Sequence, residues 1–126
     1  MSDLVRYTYG KQEKLKSRKI IGEIFSDGES FYNYPFRVFY KEVDENINPI
    51  QVGVSVSKRN FKLAVDRNRI KRLMREAYRL EKYNLQLPEG KNVVAMFVFT
   101  QRKEIGVVDM RKSFVKALKK LTETFI

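Results

Sequence analysis

Residues 92–100, NVVAMFVFT, decide the fold of this chain. Hydrophobic side chains occupy both the odd and the even positions from Val93 to Phe99, so neither side of the segment suits contact with water. A short apolar run of this kind, preceded by the chain-breaking residues Pro88-Glu89-Gly90, is typical of a strand buried on both faces. The segment is therefore predicted to be the central strand of a sheet that is covered on both sides.

A second strand and two helices are predicted around this centre. Residues 51–57, QVGVSVS, alternate between valine and small residues, which indicates a strand with one buried face. Apolar residues recur at helical spacing from about Asp66 to about Lys82, which predicts a helix between the two strands. Asp109 is a candidate N-cap for a last helix, whose apolar stripe extends to Phe125.

The first half of the chain predicts a short helix and an aromatic strand. The helix covers Leu15–Phe25 and is closed by Asp27-Gly28. Residues 30–40, SFYNYPFRVFY, hold six of the 16 aromatic residues and are predicted to form a strand. Pro35 indicates that this strand begins near Pro35 or lies at an edge of the sheet. No linker divides the chain, so we expect a flexible segment at residues 1–13 and one α+β domain at residues 14–126.

Composition limits the possible functions. The 126 residues include 26 Lys and Arg against 15 Asp and Glu, giving a net charge of +11, which favours a polyanionic partner. There is no Cys and no His, so disulfides, cysteine zinc sites and a Ser-His-Asp triad are excluded. No apolar N-terminal region is present and no apolar run approaches about 18 residues. We therefore expect no signal peptide, no membrane partner and a cytoplasmic location.

Most of the positive charge is concentrated in the predicted central helix and the loop before it. Residues 58–82 contain ten basic and three acidic side chains, a local charge of +7. On a helical wheel the apolar residues gather on one side and the arginines and lysines on the other. Cations repeat at four-residue spacing, which destabilises an isolated helix, whereas a solvated helix face usually mixes charges. Arginine outnumbers lysine, and this favours a partner with phosphate oxygens.

The sequence pattern is more consistent with binding of RNA than of duplex DNA. A reader of the major groove normally uses a helix-turn-helix, which the strand-rich pattern does not indicate. Aromatic and small residues on a sheet suit the unstacked bases of a single strand. The residues alone therefore predict an RNA-binding α+β domain.

The run SVSKRNFKLAVDRNRIKRLMREAYR, residues 55–79, resembles the bacterial ribonuclease P protein subunit. The shared features are a strand ending in Ser57-Lys58-Arg59 and the helical motif Ala64-Val65, Arg67-Asn68-Arg69, Lys71-Arg72, Arg75-Glu76-Ala77. The likeness covers roughly residues 14–124. Two departures are present: residues 60–63 lack the glycine that is usual in this loop and include one extra residue, and Ile21 stands where an aromatic is common.

The resemblance implies a fold and a function. The expected fold is a single-domain, two-layer α/β sandwich of ribosomal-protein type, in the order α-β-β-β-α-β-α, with a left-handed βαβ crossover. The expected partners are the catalytic RNA of ribonuclease P and precursor tRNA, whose 5′ leader the holoenzyme removes by hydrolysing one phosphodiester bond. The RNA subunit is the catalyst and binds the Mg²⁺, so the protein is an accessory subunit, without a cofactor of its own and monomeric when free.

The resemblance also implies two RNA-binding surfaces and no catalytic residue in the protein. The residues expected to contact the catalytic RNA are Lys58, Arg59, Arg67, Asn68, Arg69, Lys71, Arg72 and Arg75. The residues expected in a leader-binding cleft between the first helix and the sheet are Ile21, Phe25, Phe36, Val38 and Tyr40. An aromatic strand face can equally be ordinary core, so cleft and core both stay open for these positions.

Two other functions are compatible with the residues. One is a ribosome- or translation-associated RNA-binding protein without a role in cleavage. The other is a self-sufficient nuclease using the carboxylate of Asp66 or Glu76, which is less favoured because a two-metal site needs several converging acidic residues. Asp66 is also a candidate N-cap of the basic helix.

Overall fold

The structure, a computed structural model, describes residues 9–44 and 50–126. Its helices and strands are α1 (Arg18–Asp27), β1 (Glu29–Asn33), β2 (Phe36–Glu42), β3 (Gln51–Val56), α2 (Ala64–Glu81), β4 (Val93–Phe99) and α3 (Val107–Thr124). The order α-β-β-β-α-β-α confirms the predicted α+β class and element order. None of the helices in the described ranges is long and apolar enough to cross a membrane.

The four strands form one sheet in the order β1-β2-β4-β3. β4 pairs with β2 in antiparallel and with β3 in parallel orientation, and residues 93–97 are all buried. This confirms the predicted central strand. β3 and β4 are neighbours joined through α2, so their carboxyl ends lie at the same edge of the sheet.

Helices cover both faces of the sheet. α2 and α3 pack on one face over the larger core, in which the ring of Phe114 on α3 lies 4.8 Å from the rings of both Phe36 and Phe97. α1 packs on the opposite face over a smaller cluster that contains Ile24 and Met96. The pleat of β4 explains this division, because its alternate side chains enter different cores.

The predicted aromatic strand is a hairpin in the structure. β1 and β2 pair in antiparallel orientation on either side of a turn at Tyr34 and Pro35, and the peptide bond between these two residues is cis. Pro35 therefore precedes β2, as predicted for a residue that cannot donate a ladder hydrogen bond.

Both predicted aspartate N-caps are wrong by a few residues. Leu63 is the N-cap of α2 and Gly106 that of α3, while Asp66 and Asp109 lie in the first turns of these helices. A carboxylate in the first turn still interacts favourably with the helix dipole, which accounts for the sequence signal.

The N-terminal boundary lies earlier than predicted. Residues 1–8 of the expected flexible segment lie outside the described residues, but Tyr9 to Glu13 contact the domain. The Tyr9 hydroxyl donates to the Val52 carbonyl, and its ring packs edge-on against Tyr78 at 5.4 Å. The carboxylate of Glu13 accepts a hydrogen bond from the Lys82 ammonium at 2.6 Å. The folded part of the chain therefore includes residues 9–13.

Candidate nucleic-acid interface

The basic helix α2 is anchored by its apolar side and presents its charged side to solvent. Ile70, Met74 and Ala77 are buried against the sheet and α3, as the helical wheel predicts, and Tyr78 is buried as well. This anchoring fixes the orientation of the helix, so the arginines and lysines on the other side cannot turn towards the core.

The loop before α2 is held by one of the predicted RNA-binding arginines. The Arg67 guanidinium donates to the carbonyl oxygens of Phe61 and Lys62, both at 2.8 Å. Phe61 is buried, and the side-chain amide of Asn60 donates to the Thr100 carbonyl at 3.1 Å. These contacts define the path of the segment that departs from the family pattern.

Five predicted RNA-binding cations keep their charge uncompensated within the described part of the chain. We call them the outer cations: Lys58, Arg59, Lys71, Arg72 and Arg75. All are exposed or half-buried, and none forms an ion pair with a carboxylate of residues 9–44 or 50–126. Asn68 is exposed among them. Such a cluster produces a positive potential that attracts phosphate groups.

Arg69 differs from the outer cations because two carboxylates engage it. Its Nε donates to Oε1 of Glu104 at 2.8 Å, and its Nη2 donates to Oε2 of Glu104 at 2.6 Å and to Oδ1 of Asp66 at 2.7 Å. Its hydrogen bond lowers the pKa of the Glu104 carboxyl, and the two carboxylates raise the pKa of Arg69. The basic side of α2 is therefore not uniform.

The two carboxylates considered for a self-sufficient nuclease are both paired with arginine. Asp66 contacts Arg69, and Glu76 accepts hydrogen bonds from Arg79, which lower the pKa of its carboxyl. Over residues 9–44 and 50–126, no three acidic side chains lie close enough together to hold a metal ion.

Part of the sheet face that carries α1 remains open to solvent. The register places Tyr32 opposite Arg37, Arg37 opposite Val98, and Val98 opposite Ser55, which forms one row across all four strands. We call these four residues the open row. Each is exposed or half-buried, because α1 covers the neighbouring row that contains Phe39 and Met96.

The edge of α1 lies beside the open row, where the leader-binding cleft is predicted. Phe25 is 47% exposed, and its ring lies 4.8 Å from that of Phe39, two residues along β2 from Arg37. Ile21 lies one helical turn before Phe25 and packs against the same cluster. Thus the structure brings together two of the predicted cleft residues, Ile21 and Phe25, with an aromatic ring and a guanidinium of β2.

The predicted cleft positions Phe36, Val38 and Tyr40 are wrong. Their side chains lie on the opposite face of the sheet, under α3, and are at most 7% exposed. The Tyr40 ring packs edge-on against Phe125 near the end of α3, with centroids 5.7 Å apart. The even positions of β2 are therefore core, and the odd positions face α1.

Four residues with a place at this interface are absent from the sequence prediction. Arg37 and Phe39 occupy the odd positions of β2, and the charge of Arg37 was the available signal, since a lone arginine seldom belongs to a core face. Arg102 and Lys103 are exposed in the loop after β4, next to Gln101, whose side chain donates to the Tyr32 hydroxyl at 3.0 Å. This contact places the loop beside the open row.

Comparisons with known proteins agree with this architecture. A family model described as Ribonuclease P matches residues 9–123. The chain is 46% identical over 81 residues to the ribonuclease P protein component of Porphyromonas gingivalis, an alignment that covers 62% of this chain and only 59% of that protein. It is 33% identical over 109 residues to that of Staphylococcus carnosus, covering 86% and 90% of the two chains. The solved structure of the Staphylococcus aureus RNase P protein superimposes with a TM-score of 0.66 at 25% identity, covering 90% of this chain and 98% of that one.

Proposed function

The chain belongs to the ribonuclease P protein family, and from this premise we propose that it acts in the removal of the 5′ leader from precursor tRNA. It binds the catalytic RNA and the leader, and the holoenzyme hydrolyses one phosphodiester bond to give the mature 5′ end. In this proposal the RNA subunit binds the metal and performs the chemistry, and the protein supplies no catalytic residue. The protein, a cytoplasmic monomer when free, binds and positions the RNA.

The outer cations are the observation that carries this proposal. Lys58, Arg59, Lys71, Arg72 and Arg75 form no ion pair with a carboxylate of the described residues, and these like charges repel one another unless a polyanion neutralises them. Arginine presents a planar fork that matches two phosphate oxygens, which suits the backbone of a structured RNA. Asn68 lies within the cluster and adds a neutral hydrogen-bonding group.

The cleft between α1 and the open row is the proposed site for the single-stranded leader. Phe25 and Phe39 offer aromatic surfaces on which an unstacked base can stack. The Arg37 guanidinium lies in the same face of the sheet and donates to the Ser30 hydroxyl at 3.1 Å, which holds it across the strands. Ile21 completes the apolar side of the cleft.

The two surfaces meet at one edge of the sheet. Lys58 and Arg59 follow β3, and Arg102 and Lys103 follow β4, and these strands are parallel neighbours. A leader that lies along the open row would reach these cations at the carboxyl ends of the strands. The protein can thereby hold the leader and the catalytic RNA side by side, which fixes their relative orientation.

Reconstitution tests the proposed function. Precursor tRNA is cleaved by the catalytic RNA at low magnesium concentration, with and without the protein, using a full-length leader and a leader of a single nucleotide. We expect the protein to stimulate cleavage, and to do so more strongly with the full-length leader, because only this leader reaches the cleft. Absence of stimulation with either substrate would favour a ribosome-associated RNA-binding protein instead.

A further inference from the structure

We propose that Arg69 is a positioning residue for RNA binding and not a phosphate ligand. It ties the loop that carries Arg102 and Lys103 to the first turns of α2, and acts through these two cations. The inference rests on the proposed function, since it concerns how the two RNA-binding surfaces are held relative to each other.

The charge around Arg69 argues against a phosphate contact. One guanidinium faces two carboxylates, Glu104 and Asp66, so the cluster carries a net charge of −1. All three N–H groups of Nε and Nη2 are occupied by these carboxylate oxygens. A phosphate that binds through both Nε and Nη2 would have to displace the Glu104 carboxylate, and any phosphate would approach a site of its own charge sign.

The contacts of the loop after β4 show what the ion pair holds. At its start, the backbone N–H and the hydroxyl of Thr100 donate to the Pro35 carbonyl at 3.0 and 3.1 Å, and Gln101 donates to Tyr32. At its end, Glu104 is tied to α2 by Arg69. Arg102 and Lys103 lie between these attachments, and the ion pair is the contact that joins the residue after them, Glu104, to α2.

The solvent exposure of the Arg69–Glu104 ion pair distinguishes a positioning role from a contribution to folding. The side chains of Arg69 and Glu104 are 54% and 39% exposed, and exposed ion pairs contribute little to global stability. Loss of the pair should therefore leave the urea midpoint almost unchanged and weaken the binding of RNA. A residue that only stabilised the fold would show the opposite pattern.

A charge swap tests the inference at constant net charge. Arg69→Glu alone is expected to weaken binding of precursor tRNA by the holoenzyme about tenfold or more. The Arg69→Glu/Glu104→Arg double variant restores an arginine facing two carboxylates, one of them Asp66, and is expected to return the affinity to within about threefold of the original. If Arg69 contacts phosphate, the double variant stays weak and the slope of log K against log salt falls by about 0.7–0.9.

A matched swap serves as the control. Lys91 and Glu42 form an exposed ion pair at 3.3 Å at the opposite end of the sheet, beyond the amino end of β4. Lys91→Glu and its double variant with Glu42→Lys are both expected to bind RNA like the original protein. Weakening by the control swap comparable to that by Arg69→Glu would overturn the inference, because the effect would then be general.

Alanine variants give a second, independent measurement. A positioning pair predicts that Arg69→Ala and Glu104→Ala weaken binding to a similar extent, and that the double variant is no weaker than either. Stronger binding by Glu104→Ala would mean that the carboxylate merely competes with RNA for Arg69, and this would overturn the inference.

Arg72→Ala distinguishes failure of the inference from failure of the proposed function. Arg72 is an outer cation and a proposed phosphate contact. If Arg72→Ala lowers affinity and salt slope but the charge swap does not restore binding, only the inference about Arg69 is overturned. If Arg72→Ala changes neither quantity, the proposed function of the basic helix is overturned and the inference with it.

Discussion

Substitution of Arg72 by alanine removes one outer cation with little effect on the fold. Its side chain is exposed on α2 and forms no ion pair with the described carboxylates. Alanine is a better helix former than arginine, and the change also relieves repulsion from Arg75, three residues away. The free energy of unfolding should therefore change by less than about 0.5 kcal/mol.

The expected effect on RNA binding is much larger. A hydrogen bond between charged groups contributes about 1.5–3 kcal/mol, so its loss should raise the Kd for the catalytic RNA by about 12- to 150-fold. Loss of one phosphate contact also lowers the slope of log K against log salt by about 0.7–0.9. The two quantities are linked, since the same contact supplies the affinity and releases the counterion.

A titration of labelled catalytic RNA at several salt concentrations measures both quantities. Lys119→Ala is the matched control, because Lys119 is also exposed and forms no ion pair in the described part of the chain, but lies on α3. It should leave the slope unchanged. An unchanged slope for Arg72→Ala, or an equal loss for Lys119→Ala, would refute a localised phosphate-binding surface on α2.

Three further outcomes follow from the structure. A Cβ at Gly28 would lie 2.3 and 2.7 Å from two backbone oxygens, so Gly28→Ala should destabilise the fold by about 1–3 kcal/mol in urea unfolding. A Cβ at Gly22, inside α1, would meet no atom within 4 Å, so Gly22→Ala should stabilise the fold by about 0.5–1 kcal/mol. Burial raises the pKa of Tyr9 from 10.0 to about 12. The stabilisation by the neutral Tyr9 side chain is complete below pH 10 and is lost as pH rises through 12. The free energy of unfolding of the original protein should therefore fall more steeply over this pH range than that of Tyr9→Phe. Phe25→Ala should weaken binding of a single-stranded leader oligonucleotide by about 1–3 kcal/mol in fluorescence anisotropy, while Tyr40→Phe, on the other face of the sheet, should not.

Local patterns in the sequence were sufficient to predict most of the fold. The apolar residues of β4 indicate burial on both faces because strand side chains alternate, and this requires no knowledge of the partners. The period of the apolar residues predicted a helix at about 66–82, and the structure places α2 at Ala64–Glu81. Periodicity is a property of the chain itself, so a single sequence reveals it.

The inward face of β2 could not be predicted in the same way. Phe36 and Tyr40 occupy the even positions and Phe39 an odd one, so both sets contain aromatic residues. The choice depends on pairing with β4, which is itself apolar on both faces and so does not discriminate. Arg37 was the local indicator that the odd positions remain near solvent.

The different surroundings of the arginines on α2 also could not be predicted from the sequence alone. Arg69 and Glu104 are 35 residues apart, and only the parallel alignment of β3 with β4 brings the loop after β4 to the start of α2. In the sequence the arginines of α2 appear equivalent. In the structure Arg67 satisfies two loop carbonyls and Arg69 two carboxylates, whereas Arg72 has no such partner in the described residues.

The same alignment explains why the proposed interface lies where it does. Parallel pairing places the carboxyl ends of β3 and β4 at one edge, where α2 begins. The positive end of the α2 dipole therefore adds to the charges of Lys58 and Arg59, and both favour an anion at that edge. α1 crosses the sheet one row away and leaves the open row leading to it. A strand inserted between β3 and β4 would preserve every cation in the sequence, yet it would separate the leader cleft from the basic helix.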